Sequence, residues 1–164
     1  MKNILMDYSA NKGNIKGTFI LSFFRTVQLF SMKKFSFLWW LGLPLAIVYR
    51  VIVDYVMSVE LKPNTKIGAG LRLEHGFALV VNKNAVIGSN VLLRHSTTIG
   101  CKRLADGSEG PSPVIGDNVD VGAHVAIIGD ITVGNNVKIG AGTVVINDIP
   151  DDVTVVGNPA RIIG

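Results

Sequence analysis

From Ile115 onward the chain repeats every six residues. Ile115, Val121, Ile127, Val133, Ile139 and Val145 stand six apart, and Gly116, Gly122, Gly134 and Gly140 directly follow four of them. Two positions before several anchors sits a small or β-branched residue: Val119, Val125, Val137 and Thr143. A period of six matches neither the helical nor the ordinary strand period. It fits a parallel β-helix, in which one short strand and one corner make a side and stacked turns share an apolar interior. Glycine after the anchor suits a tight, repeated corner. The expected fold class is mainly β, a parallel β-helix of triangular section.

The beat starts near Ile67, which divides the chain into a helical region over residues 1–59 and a β-helix over residues 60–164. Residues 16–34 and 37–58 read as two helices. In the first, Phe19, Phe23, Phe24, Val27 and Phe30 recur at helical spacings. In the second, Gly42 and Pro44 predict a kink or a short break. Phe35 to Tyr49 is uncharged, holds Trp39 and Trp40, and is flanked by Lys33 and Lys34. It is shorter than the ~20 residues a spanning helix needs. It suits packing on a neighbouring subunit or on the end of the coil, or contact with a membrane surface. The first fifteen residues lack the apolar core and cleavage site of a signal peptide.

Charge narrows the function. Residues 1–59 carry seven basic side chains against two acidic ones, and residues 60–164 carry nine against ten. A nucleic-acid reader concentrates positive charge on its folded face and offers aromatic platforms. Here the repeat region is slightly acidic with Phe77 as its one aromatic residue, so nucleic acid is not an expected partner. With Cys101 as the one cysteine, neither an intrachain disulfide nor a cysteine-based metal cluster can form. His75, His95 and His124 show no ligand spacing, and no metal is expected. No phosphate-cradling glycine motif is present.

The beat breaks twice. Among anchors Leu73, Val81, Ile87, Leu93 and Ile99 the first interval is eight residues, and it holds Glu74, His75, Gly76 and Phe77. Sixteen residues then separate Ile99 from Ile115, the surplus including Cys101 to Pro113. Insertions in a solenoid emerge as loops, often on the binding side. His75 and His95 each fall two residues after an anchor, three intervals apart. With three strands per coil they share a corner, stacked at roughly 5 Å. His124 lies in a different phase and need not join them. His75, inside the irregular interval and with acidic company, is the candidate general base. Glu60, fifteen residues upstream, could reach it from a neighbouring coil and fix its tautomer. Glu74 should point the other way on its strand but could still line the cleft.

Several stretches together resemble a known family: LPLAIVYRVI (43–52), EHGFALVVNKNAVIG (74–88), RHSTTIG (94–100), VIGDNVDVGAHVAIIGDITVGNNVKIGAGTVV (114–145) and VVGNPARIIG (155–164). They are similar to the serine-acetyltransferase-like branch of the left-handed β-helix, hexapeptide-repeat acyltransferases. More nearly still, they resemble bacterial colanic-acid and capsular-polysaccharide O-acetyltransferases. The resemblance implies an acetyl-CoA-dependent O-acetyltransferase acting by direct attack of a hydroxyl, assembled as a homotrimer with active sites between subunits. A cytoplasmic location is expected, with the amino-terminal region in reach of the inner face of the membrane. By the same resemblance His75 is the base, Glu60 orients it and Glu74 lies near the acceptor. Ala123 and Ala141 admit the pantetheine arm, Gly100 and Cys101 approach the thioester, and the segment ending in Arg161 closes over the CoA end. Lys102, Arg103 and Lys138 are further candidates for the CoA phosphates by charge.

Two departures bear on the acceptor. Serine acetyltransferases carry an Arg-His pair where this chain has Pro111 and Ser112, and their long helical domain is here under sixty residues. A buried carboxylate without a basic partner is costly. Both departures point to a sugar hydroxyl in exopolysaccharide or capsule assembly, with His95 placed to hydrogen-bond it. The alternative is serine O-acetylation in cysteine biosynthesis, a loop arginine such as Arg103 compensating. A non-catalytic β-helix scaffold is the alternative from another class.

Overall fold

Three parallel sheets form the faces of a left-handed β-helix in the computed structural model, which describes residues 4–31 and 37–163. The first face stacks Val59–Leu61, Leu79–Val81, Thr98–Gly100, Ala126–Ile128 and Val144–Val145. The second stacks Lys66–Ile67, Val86–Ile87, Val114–Ile115 and Thr132–Val133. The third stacks Arg72–Glu74, Leu92–Arg94, Asp120–Val121, Lys138–Ile139 and Thr154–Val156, and Arg161–Ile163 folds back antiparallel on the last of these. Up to Val144–Val145 consecutive strands visit the faces in turn, so three strands complete a coil. In the last coil the isolated bridge of Ile149 to Val133 takes the place of a second-face strand.

The six-residue beat is the geometry of this interior. Every anchor from Ile67 to Val145 points inward and is buried, and so are Val119, Val125, Val137 and Thr143 two positions earlier. Each side of a coil thus contributes an anchor and a corner residue to one continuous core. The glycines after the anchors have a different reason from the one expected. Gly116, Gly122, Gly134 and Gly140 are absent from the residues with positive φ. They are needed because the coils approach too closely for a side chain: a Cβ on Gly122 would stand 2.6 Å from the Ala141 amide nitrogen. On the corner that leads into the third face, left-handed φ falls instead on Asn90, Asn118, Asn136 and Asp152. Their side chains form a ladder up one corner, with bonds of 3.2, 3.0 and 2.8 Å. Asn and Asp tolerate this conformation best after glycine.

Two helices precede the coil, α1 (Ile15–Ser31) and α2 (Phe37–Tyr49), and α2 runs on into π-helical turns over Arg50–Val56. α1 buries Ile20, Leu21, Phe24 and Val27. Of the kink or short break expected at Gly42 and Pro44, the break is absent, since both lie inside α2. Gly42 serves the crossing of the helices, because a Cβ there would meet the Phe30 Cβ at 2.6 Å. The irregularity comes later, in the wider turns after Tyr49. Lys33 and Lys34, flanking the uncharged stretch, lie outside the described residues. Among the described residues no helix is long and apolar enough to cross a membrane.

The amino-terminal region covers the open edge of the first coil. The buried pair of Arg25 Nε and Asp7 Oδ2, 2.8 Å apart, anchors it. Asp7 Oδ1 accepts from the Leu71 amide at 3.0 Å, Asn11 Oδ1 accepts from the Leu73 amide at 3.1 Å, and Arg25 donates to the Ile67 carbonyl at 3.1 Å. Backbone groups that a bare sheet edge would expose are thereby satisfied. Helices and coil share one buried cluster.

Candidate active site

The histidines gather on the corner between the third and first faces. His75 ends the strand Arg72–Glu74 with φ 55°, and Ala78 follows at φ 50° before the chain re-enters the first face at Leu79. The two extra residues of the long interval are thus absorbed in a corner with two left-handed turns. The imidazoles of His75 and His95 stack edge to face at 6.0 Å, as their shared register requires. His124 lies one position further along its corner, consistent with its different phase. Its ring nevertheless packs against His95 at 5.1 Å, so it joins the other two although its phase did not require it to. His95 Nδ1 is buried without a hydrogen-bond partner among the described residues.

Beside this ladder runs a chain of alternating charge. Glu74 accepts from Arg72 at 3.0 Å and from Arg94 at 3.0 Å. Arg94 also pairs with Asp120 and donates to the Val121 carbonyl at 3.2 Å. The Asp120 hydrogen bond, reinforced by the charge of Glu74, raises the Arg94 guanidinium above its ordinary value. Glu74 and His75 open together on a cleft of about 520 Å³ that Arg72, Lys12 and Lys16 also line.

The other site residues occupy the two flanks of the corner. On the first-face flank, Glu60, Gly100 and Cys101 share a cleft of about 340 Å³ with Glu109 from the inserted loop. That loop is a hairpin closed by the Arg103 and Glu109 bridge. Within the cleft Glu60 is ion-paired to Lys62 at 3.1 Å, and Lys62 also reaches Asp54 at 3.4 Å. Cys101 Sγ accepts from the Asn82 amide at 3.4 Å. On the third-face flank, Ala123 and Ala141 line a shallow trough of about 360 Å³ with Arg94, Asp120 and Lys138. Arg161 is exposed on the antiparallel strand that ends this face. The single chain therefore brings Glu74 to His75, Glu60 to Cys101 and Ala123 to Ala141. No hydrogen bond joins Glu60 to His75 among the described residues.

Sequence reasoning missed Lys12, Lys16, Arg72 and Arg94. For Arg94 the signal was present, since aligning Leu73-Glu74-His75 with Leu93-Arg94-His95 sets Glu74 directly over Arg94. Lys12 and Lys16 had none, because a segment outside the repeat brings them. Among the described residues no group of three His, Cys, Asp or Glu side chains converges as a metal site.

No family model matches the chain. It is 39% identical over 163 residues to WcaB of Escherichia coli strain K12, provisionally assigned as a colanic acid biosynthesis acetyltransferase, covering 97% of this chain and 98% of that one. Among solved structures, a soybean serine acetyltransferase complexed with serine is 32% identical with a TM-score of 0.81, covering 98% of this chain and 68% of the other. A serine acetyltransferase in complex with CoA is 27% identical with a TM-score of 0.77, again covering 98% of this chain and 68% of the other.

Proposed function

We infer the activity from one premise: the chain belongs to the serine-acetyltransferase-like, hexapeptide-repeat acyltransferases, and so it is an enzyme that transfers acetyl from acetyl-CoA to a hydroxyl. The observation that carries the site assignment is His75, held at a left-handed corner and opening with Glu74 on one cleft. In this reading the His75 imidazole takes the proton from the acceptor hydroxyl as the oxygen attacks the thioester carbonyl. The new C–O bond forms, the C–S bond breaks, and the His75 imidazolium passes the proton it took to the departing sulfur, so that CoA leaves as a thiol and the imidazole is restored. A covalent acetyl-enzyme is disfavoured, because the partner of Cys101 is an amide of Asn82 and not a base. Glu60 would orient His75 after exchanging its Lys62 partner. His95 would bond the acceptor through its ring. The trough at Ala123 and Ala141 would take the pantetheine arm, with Lys138 and Arg161 toward the phosphates and Gly100 and Cys101 at the thioester.

We propose a trimer with the site between subunits, working in the cytoplasm. For the acceptor, serine now has the better support. The soybean enzyme complexed with serine matches almost the whole chain, and Arg72 and Arg94 beside Glu74 supply cations that Pro111 and Ser112 cannot. The sugar of exopolysaccharide assembly becomes the second reading, favoured by the match to WcaB over nearly its full length. A thiol-release assay with acetyl-CoA and a panel of serine, simple sugars and polysaccharide fragments tests both. Release of CoA that depends on an acceptor is expected, with kcat/KM of at least ~10⁴ M⁻¹s⁻¹ on the true one. Absent release with every acceptor would instead favour a scaffold, and release that no acceptor increases would mark thioester hydrolysis and overturn the transfer reading.

A further inference from the structure

We propose that the acceptor carries a negative charge and that Lys12 and Lys16 recognise it; the proposal rests on the acetyl-transfer reading above and narrows its substrate class. The cleft that His75 opens on is lined by three cationic side chains, Lys12, Lys16 and Arg72, against the single carboxylate of Glu74. That carboxylate is already shared between Arg72 and Arg94. Lys12 and Lys16 have no acidic partner among the described residues, so their charge faces the cleft uncompensated. The Lys16 ammonium stands 5.6 Å from the centre of the Phe77 ring, two residues beyond the candidate base.

These lysines are not on a loose tail. Asn11 donates to the Leu71 carbonyl at 2.7 Å, and Asn14 donates to the Leu73 carbonyl at 2.6 Å. The Gly17 amide closes on Asn14 Oδ1 at 2.9 Å. The segment from Asn11 to Gly17 is thus stitched to the strand whose next residues are Glu74 and His75. Its backbone is ordered before any ligand arrives, which lowers the cost of binding. An ammonium is a compact point charge that suits a carboxylate or a phosphate equally. The anion could therefore be the α-carboxylate of a hydroxy amino acid or an acidic group on a sugar, and the assay separates these sources.

The experiment uses the full chain, saturating acetyl-CoA and matched acceptors: L-serine against L-serinamide, a hexuronate against its hexose, and a hexose phosphate against the same hexose. In the pair that is turned over, the anionic member is expected to have the higher kcat/KM by about tenfold. The K12Q/K16Q double variant should raise its KM about tenfold while kcat changes less, the signature of lost ground-state binding. K12R/K16R should retain the wild-type KM. In the wild type, that KM should climb with ionic strength, because exposed charges are screened. Acetyl-CoA affinity serves as the folding control. Equal kcat/KM within a turned-over pair, or a KM indifferent to both salt and K12Q/K16Q, would overturn the proposal and leave acetyl transfer standing. No CoA release with any acceptor would instead bring down the acetyl-transfer reading and this proposal with it.

Discussion

A non-glycine residue in the left-handed region costs on the order of 1–3 kcal/mol and persists there only where its surroundings hold it. His75 and Ala78 both sit there, at φ 55° and 50°, within one corner. That conformation aims the imidazole into the cleft and makes the choice of substitution matter. Asn adopts left-handed φ more readily than Ala, so H75N should keep the corner while removing the proposed base. General-base catalysis is typically worth ~10²–10⁴ in rate. H75N should lower kcat by that factor with acetyl-CoA affinity nearly intact, as measured by calorimetry beside turnover. E60Q should cost less, since it removes orientation and not the base, but it should also move the pH profile of kcat/KM. An E60Q enzyme with unchanged turnover and an unchanged profile would leave Glu60 as the ion-pair partner of Lys62 and nothing more.

At the scale of elements, the segment Arg50–Val56 joins the helical layer to the first strand and carries Asp54. Burial lifts the Asp54 carboxyl above its ordinary value, with Lys62 and Arg50 only partly opposing and Glu60 adding to the rise. The folded chain therefore holds this proton more tightly than the unfolded chain does. Its contribution is fully present below the unfolded value of about 3.9 and is lost as pH rises through the higher folded value. D54N removes that loss. Its melting temperature relative to wild type should climb as pH is raised across this interval, and a constant difference would show that Asp54 titrates alike in both states. The elements also differ in how far the sequence revealed them. The coil was legible because a period of six determines both of its interior positions and the register of His75 over His95. The reason for its glycines was not, because crowding at Gly122 comes from Ala141, a whole coil away. The docking of the amino-terminal region was equally hidden. Asp7 meets Leu71 and Arg25 meets Ile67 across separations of 64 and 42 residues that no periodicity marks.

For the whole molecule, the division of the site residues carries the argument. Glu60, Gly100 and Cys101 lie on the first-face flank of the histidine corner, and Ala123 and Ala141 lie on the third-face flank. A ligand whose thioester meets Gly100 while its arm lies along Ala141 cannot take both from one chain without wrapping the corner. Two neighbouring chains in a trimer can supply one flank each, with the histidines between them. A stable monomer in solution, read from its mass, would sink this arrangement outright. Complementation tests it more closely. G100W should block the first flank and A141W the second, each by steric filling of a shallow surface, and each homogeneous variant should lose activity while keeping its fold. Refolded together, the two variants should recover part of the wild-type rate, because some interfaces in mixed trimers join an intact first flank to an intact third flank. If both flanks of a site belonged to one chain, every site in the mixture would keep a blocked flank and no activity would return.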